Sequence, residues 1–384
     1  MRKILLIANY KGAVGGISGQ VEELHKNLNC EATSACIGNS KLVNGNCKYH
    51  ADIFSTQGAV LRRVWKFIEL IFVVHGYDVL HIHGCSEWGF LPIVYGIIAG
   101  KIWHKRIIIT YHGGGAEEFF VRHARFVRRW LNRADKVIVL NGYLESVFAK
   151  YGIPCIVIPN IIELSETQEH SDYQWDAPRF ISVRHLRELY NIPCILQAFA
   201  KVKKQLPQAT LTILGDGPQR EELEEWVRKW RDERGELREE SGERKVESEE
   251  WKVESVRFIG QVANSEMPKY LAQSDIMLSA PSIDNMPVSL LEAMNAGVLV
   301  ISSNVGGVPY MIEHKRTGLL FDIKGLEDER ISELVNALAE QMLWAVEHQK
   351  ESMEMIARAK EDVKKYCWQN IRAMLLPMYD NCKL

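Results

Sequence analysis

At 384 residues the chain is too long for one typical hydrophobic core and fits two domains. Its 47% hydrophobic and 25% charged content exclude a disordered or fibrous chain and fit a soluble globular protein. The net charge of −2 hides an asymmetry: residues 1–164 carry 19 Lys/Arg against 12 Asp/Glu, a net of +7, and the remainder carries −9. A basic first half suggests an anionic partner, either a membrane surface or a phosphate-bearing acceptor.

The chain opens on Lys3-Ile4-Leu5-Leu6-Ile7, a short strand rather than the core of a secretory signal. Its eight cysteines are scattered without a Cys-x-x-Cys pair, which predicts a reduced, cytoplasmic compartment. Short apolar runs then alternate with helical patterns, the signature of parallel α/β sheets. In the first half the expected strands are Ile4–Ala8, Val79–His83, Ile107–Thr110, Val137–Leu140 and Ile156–Ile158.

Gly12, Gly15, Gly16 and Gly19 follow the first strand. A glycine-rich turn there lets backbone N–H groups approach phosphate, or serves simply as a tight turn. It is not a Gly-x-Gly-x-x-Gly dinucleotide fingerprint. Leu61, Val64, Trp65, Ile68 and Leu70, with Arg62, Arg63 and Lys66 beside them, form an amphipathic segment. His81 and His83 share one strand face, but no third metal ligand clusters near them in sequence. The run from Trp88 to Gly100 contains Pro92 and is too short to span about 30 Å of hydrocarbon. It reads as a buried helix.

His112 ends a strand and precedes Gly113-Gly114-Gly115. His-Gly-Gly-Gly also occurs as an esterase oxyanion loop, but that chemistry needs a Gly-x-Ser-x-Gly turn. Gly16-Ile17-Ser18-Gly19 places its second glycine one position early. Next come Phe119, Phe120, His123, Phe126, Val127, Trp130 and Leu131 on one helical face, with Arg122, Arg125, Arg128, Arg129 and Arg133 on another. Basic aromatic helices of this kind either lie on anionic bilayers or pack on a sheet with a basic outer face.

A polar stretch from Glu163 to Asp176 reads as an interdomain linker. The rhythm restarts with expected strands Phe180–Val183, Leu211–Leu214, Val256–Ile259, Ile276–Ser279 and Val298–Ser302. Residues 219–254 read as a charged insertion: Glu221 to Arg238 fits a solvated helix with i,i+4 ion pairs, and Lys245-Val246-Glu247-Ser248 nearly repeats as Lys252-Val253-Glu254-Ser255.

The most informative segment runs from Ser282 to Met294. Asp284 sits in a turn-prone Asp-Asn-Met-Pro, and Glu292 follows eight positions later. Pro287 suits a first helical turn, which puts Glu292 in the second. A helix start with free N–H groups suits a ligand bearing hydroxyls and phosphates.

This segment resembles the acidic motif of the retaining nucleotide-sugar glycosyltransferases of family four, which have the GT-B fold. Asp284 stands where the family pattern has Glu. The resemblance extends through Gly12-Ala13-Val14-Gly15-Gly16, Tyr111-His112-Gly113, Ala134–Leu140 and Ile158-Pro159-Asn160. It continues with Leu214-Gly215-Asp216-Gly217-Pro218, Phe258-Ile259-Gly260 and Ser303-Asn304-Val305-Gly306-Gly307-Val308-Pro309. It implies two doubly wound Rossmann-like domains facing across a cleft. Residues 1–165 would form the acceptor-side domain and 175–365 the nucleotide-sugar domain, with a final helix, 366–384, crossing back to the first.

The resemblance also implies roles. His112 would lie by the transferred sugar. Gly15 and Gly16 would touch donor phosphates or acceptor. Asn285, Met286 and Pro287 would surround the donor sugar, Asp284 would orient its hydroxyls, and Glu292 would accept the ribose hydroxyls. Gly306 and Gly307 would offer N–H groups to phosphate at a helix start. The family commonly has Gly-Arg-Leu and then Lys for the diphosphate; here Arg184-His185-Leu186-Arg187 displaces the Arg and lacks the Lys. Arg184 takes that contact, with Arg187 as a substitute for the Lys. The expected reaction needs no metal and no cofactor. The expected partners are a nucleoside diphosphate sugar, a sugar or lipid-linked sugar acceptor and an anionic membrane surface; no motif points to nucleic acid. The alternatives are a nucleotide-sugar epimerase and a non-catalytic nucleotide-sugar-binding protein.

Overall fold

The computed structural model describes residues 1–10, 16–30, 48–164, 170, 172–240, 255–323 and 331–380. The chain divides into two compact units. The first comprises Met1–Ser165, Asp284–Val288 and Lys364–Leu384; the second comprises Glu166–Ile283 and Ser289–Val363.

In the first unit the elements run β1 (Arg2–Ala8), α1 (Gly16–Cys30), β2 (Tyr49–Ser55), α2 (Val60–Val73), β3 (Val79–Gly84), α3 (Leu91–Ile102), β4 (Arg106–Tyr111), α4 (Ala116–Leu131), β5 (Lys136–Val139), α5 (Gly142–Lys150) and β6 (Ile156–Val157). The strands pair in parallel in the order β2-β1-β3-β4-β5-β6. A parallel sheet is covered on both faces, so its central strands are mostly apolar, with His81 and His83 of β3 and Thr110 of β4 as buried polar exceptions. Leu5, Ile7, Leu80, Ile82, Ile107 and Ile109 meet α3, α4 and α5 on one side. Ile4, Leu6, Val79, Ile108 and Ile138 meet Val21, Leu24 and Leu28 of α1 on the other.

The second unit repeats the plan with β7 (Arg179–Val183), α6 (Ile192–Val202), β8 (Thr210–Leu214), α7 (Arg220–Glu240), β9 (Val256–Gly260), α8 (Met267–Leu271), β10 (Ile276–Ser279), α9 (Val288–Ala296), β11 (Leu299–Ser303), β12 (Leu319–Phe321), α10 (Ile331–Glu347) and α11 (Gln349–Val363). Its parallel order is β12-β11-β10-β7-β8-β9. The strands all run parallel, and their winding order reverses between β7 and β10, which is the doubly wound pattern. Finally α12 (Trp368–Asp380) belongs to the first unit. Trp368, Ile371, Leu375 and Tyr379 join the α1 side of its core, and Arg2 caps the end of α12 by donating to the carbonyls of Tyr379 and Asp380 at 2.6 and 2.7 Å.

Four sequence expectations change. The edge strands β2 and β12 were not anticipated. β2 is interrupted by His50 and Asp52 and buried only at Tyr49, Ala51 and Phe54, and β12 has three residues. Trp88 is 76% exposed and lies in a 3-10 turn, so the buried helix begins at Leu91. Pro287 immediately precedes α9 rather than lying in its first turn. α7 is not solvated all round: Leu223 and Val227 are buried, with Trp226 and Trp230 packed beside them. Its expected ion pairs are present as Arg220–Glu224 and Lys229–Glu225, both at 2.8 Å. The near-repeat falls within residues 245–255, of which 245–254 lie outside the described residues.

Candidate active site

His112 stands one residue beyond β4, where its N–H donates to the Gly84 carbonyl at 2.8 Å. The following glycines carry the chain into α4. A Cβ on Gly114 would sit 3.2 Å from the backbone carbon of Asp284, so the small residue admits that backbone. Asn285, 2% exposed, donates from Nδ2 to the His112 carbonyl at 3.2 Å. In turn Asn141 donates to the Asn285 carbonyl and side-chain oxygen. Asn160 donates to the Met286 carbonyl at 3.0 Å. The Asp284 carboxylate accepts from the Asn285 N–H at 2.8 Å. Within the first unit, His112 and Asp284–Met286 are therefore one hydrogen-bonded cluster.

Behind His112 stand two more histidines. His83 Nδ1 is 3.0 Å from His112 Nε2. His81 bridges the Tyr379 hydroxyl and Thr110 Oγ1, each at 2.7 Å. Burial lowers all three pKa values: to about 4 for His112, to about 3 for His81, where a charge on His112 adds to the effect, and well below the ordinary value for His83. All three are neutral at pH 7. No group of three or more metal-ligating side chains is arranged to hold an ion among the described residues.

In the second unit Arg184 directly follows β7. Its Nε and Nη2 lie 3.2 and 3.0 Å from Ser279 Oγ at the end of β10. The guanidinium is 5.4 Å from the Tyr190 ring centre. The backbone beneath it is pressed against the β8 loop: Gly215 has φ +132°, and a Cβ there would lie 1.9 Å from the Arg184 carbonyl oxygen. No other residue type fits that approach. Arg187, by contrast, is exposed beside a 3-10 turn. Glu292 lies in the second turn of α9, largely buried, and desolvation raises its pKa. Gly306 and Gly307 precede a three-residue 3-10 turn, Val308–Tyr310, not the expected helix, so little dipole supports them. Gly16 opens α1, and a Cβ there would meet nothing within 4 Å. Gly15 lies outside the described residues.

The profile described as "Glycosyl transferases group 1" matches residues 177–345, and that of "Glycosyltransferase Family 4" matches residues 42–166. The chain belongs to the family 4 glycosyltransferases. It is 26% identical to the sulfoquinovosyl transferase SQD2 of Arabidopsis thaliana over 45% of this chain and 28% of that protein. It is 29% identical to the N-acetyl-alpha-D-glucosaminyl L-malate synthase of Bacillus anthracis over 39% and 34%. It is 27% identical to a GDP-mannose-dependent phosphatidylinositol monomannoside mannosyltransferase of Mycobacterium tuberculosis over 61% and 60%. The chain thus spans less than two thirds of the length of these relatives. Among solved structures, Anabaena HepE with UDP and glucose aligns over 100% of both chains, with a TM-score of 0.70 and 17% identity. Sucrose-phosphate synthase of Thermosynechococcus elongatus gives 0.71 and 18% over 99% and 98%. At such identities the likeness establishes the GT-B fold of this family 4 member.

Several residues in these clusters carried no assigned role in the sequence. Asn141 follows an apolar strand and Asn160 follows Pro159, positions where Asn reads as an ordinary cap or turn residue. Ser279 is the last residue of an apolar strand. The period-two spacing of His81 and His83 put them on one face, but only the fold brings His83 to His112.

Proposed function

We propose that this chain transfers a sugar from a nucleoside diphosphate sugar to an acceptor hydroxyl with retention at the anomeric carbon. The observation that carries this reading is the His112–Asn285 cluster, which fixes Asp284 and His112 together on buried asparagines. In the reaction, the acceptor oxygen bonds to the anomeric carbon as the carbon–oxygen bond to the diphosphate breaks. The nucleoside diphosphate leaves, and its departing oxygen takes the acceptor proton on the same face. Arg184 stabilises the charge developing on that phosphate, because a guanidinium forks onto its oxygens. Asp284 and His112 orient the sugar hydroxyls, and Glu292 accepts from the ribose. The two carboxylates do not act as a glycosidase pair, because no water is activated.

A lipid-linked acceptor at an anionic, inner-face membrane surface is supported by α2. Val64, Trp65, Ile68 and Phe72 form an exposed apolar stripe, with Trp65 and Phe72 each 71% exposed, and Arg62, Arg63 and Lys66 lie beside it. Such a helix fits the interface of a bilayer. No helix among the described residues is long and apolar enough to cross one. Synthesis of a cell-surface polysaccharide or glycolipid is the corresponding role.

The test is a panel of nucleotide sugars read first by thermal shift, since a bound donor stabilises the fold. The stabilising donor is then incubated with membrane extract. Release of nucleoside diphosphate with a glycosylated product of unchanged anomeric configuration supports the reading. An isomerised donor without acceptor identifies an epimerase, and donor binding without turnover identifies a binding protein.

A further inference from the structure

We propose that His83 is a positioning residue that sets the tautomer of His112, leaving His112 Nδ1–H as the donor toward the sugar. The proposal rests on the role given to His112 above. His83 is 4% exposed in β3. Its Nδ1 is 3.0 Å from His112 Nε2, and the two rings are tilted by only 26° with centroids 5.3 Å apart. That is an edge-to-edge arrangement, so one N–H points along the line between the nitrogens.

Burial keeps both rings neutral, so each carries one proton. Only two arrangements satisfy the contact. If His112 Nε2–H donates, the single proton of His83 sits on its Nε2. That atom is buried and has no hydrogen-bond partner among the described residues. An orphaned buried N–H is rarer than an under-satisfied acceptor. If instead His83 Nδ1–H donates, its Nε2 is a bare lone pair and His112 must carry its proton on Nδ1. The second arrangement avoids the orphaned donor.

His81 holds His83 from behind. The two rings lie 4.4 Å apart, and both nitrogens of His81 are engaged, by Tyr379 of α12 and Thr110 of β4. The array is thus anchored at one end and presents His112 at the other.

The experiment is long-range proton–nitrogen NMR of the full chain labelled with nitrogen-15 histidine, at pH 7. Ring signals are assigned with the single variants His83→Leu, His83→Asn and His112→Asn. The expected result is protonated Nδ1 and bare Nε2 on both His83 and His112. A His112 protonated at Nε2 overturns the proposal whatever the activity. In His83→Asn the side-chain amide replaces Nδ1–H, so the His112 tautomer and turnover should survive. In His83→Leu the tautomer should change, and kcat should fall about tenfold with KM unchanged, the size of one lost net hydrogen bond. Circular dichroism confirms that each variant folds. Correct tautomers with undiminished turnover in His83→Leu would overturn the positioning role while leaving the transferase reading intact. If no transfer is found, that reading fails and the spectrum still decides the tautomer.

Discussion

One side-chain amide of Asn141 holds Asn285 twice, 3.0 Å from its carbonyl oxygen and 2.7 Å from its side-chain oxygen. The other atom of that amide, Oδ1, accepts from the Leu144 N–H and caps α5. Asn141→Ala therefore removes a cap, at about 1 kcal/mol, and strands buried oxygens, at about 1–3 kcal/mol. Chemical denaturation should show both losses. Asn141→Asp keeps the cap acceptor but sets a buried carboxylate against the two Asn285 oxygens, so it should lower turnover and cost at least as much stability as the alanine variant.

Arg184→Ala should reduce turnover more than Arg187→Ala. Arg184 is half-buried, held by Ser279 and set by the Gly215 approach, whereas Arg187 is exposed. Steady-state kinetics of the two variants decide the matter. Greater damage from Arg187→Ala would mean that the phosphate contact lies one turn further along the chain.

Glu292 is a carboxylate whose pKa burial raises, so its charged form is costly in the empty protein. Glu292→Gln should leave the fold as stable or more stable. Glu292→Ala should weaken donor binding by roughly ten- to a hundredfold, the equivalent of a charge-assisted hydrogen bond of about 1.5–3 kcal/mol. Calorimetry showing unchanged affinity in a folded Glu292→Ala variant would remove it from the site.

The buried histidines predict a pH dependence of stability. Their folded pKa values lie below the ordinary 6.5. Below pH 6.5 the unfolded chain therefore binds protons that the folded chain does not. Stability is present in full above pH 6.5 and falls as pH drops toward about 4. Each histidine contributes a slope of up to about 1.4 kcal/mol per pH unit. Denaturation at pH 7, 6 and 5 should show the decline, and His81→Gln should make it shallower. A flat profile would mean the histidines are solvated. Asp275 acts in a lower window: desolvation raises its pKa, but hydrogen bonds from His170 and Arg179 outweigh that and lower it. Its contribution is lost only as pH falls through that depressed value.

The proposed membrane association should depend on α2 more than on the arginines of α4. Arg122 already pairs with Glu87 at 2.6 Å, so replacing it breaks an ion pair as well as a surface charge. Trp65→Ser with Phe72→Ser changes two exposed side chains and leaves the core untouched. Each apolar side chain withdrawn from water contributes about 1.5–3 kcal/mol, so co-sedimentation with anionic vesicles should fall more than tenfold. Added salt should weaken binding of the native chain, because charges are screened over about 8–10 Å. Native protein remaining in the supernatant at low salt would favour a soluble acceptor.

The central strands, the switch from one α/β unit to a second and the loop-then-helix around Asp284 and Glu292 were legible in the sequence alone. Buried parallel strands are mostly apolar runs, and the sequence records them. The edge strands β2 and β12 were not legible, unlike the edges β6 and β9, because His50 and Asp52 break the apolar run of β2 and β12 has only three residues. The short 3-10 turn after Gly307 was also hidden, since its residues carry no signal separating it from a helix start. Only the tertiary structure joined Asn141 to Asn285, Asn160 to Met286, and His83 and Asn285 to His112. Those bonds link residues up to 173 positions apart, and a hydrogen bond at 3 Å depends on distance in space, which short-range sequence patterns do not encode.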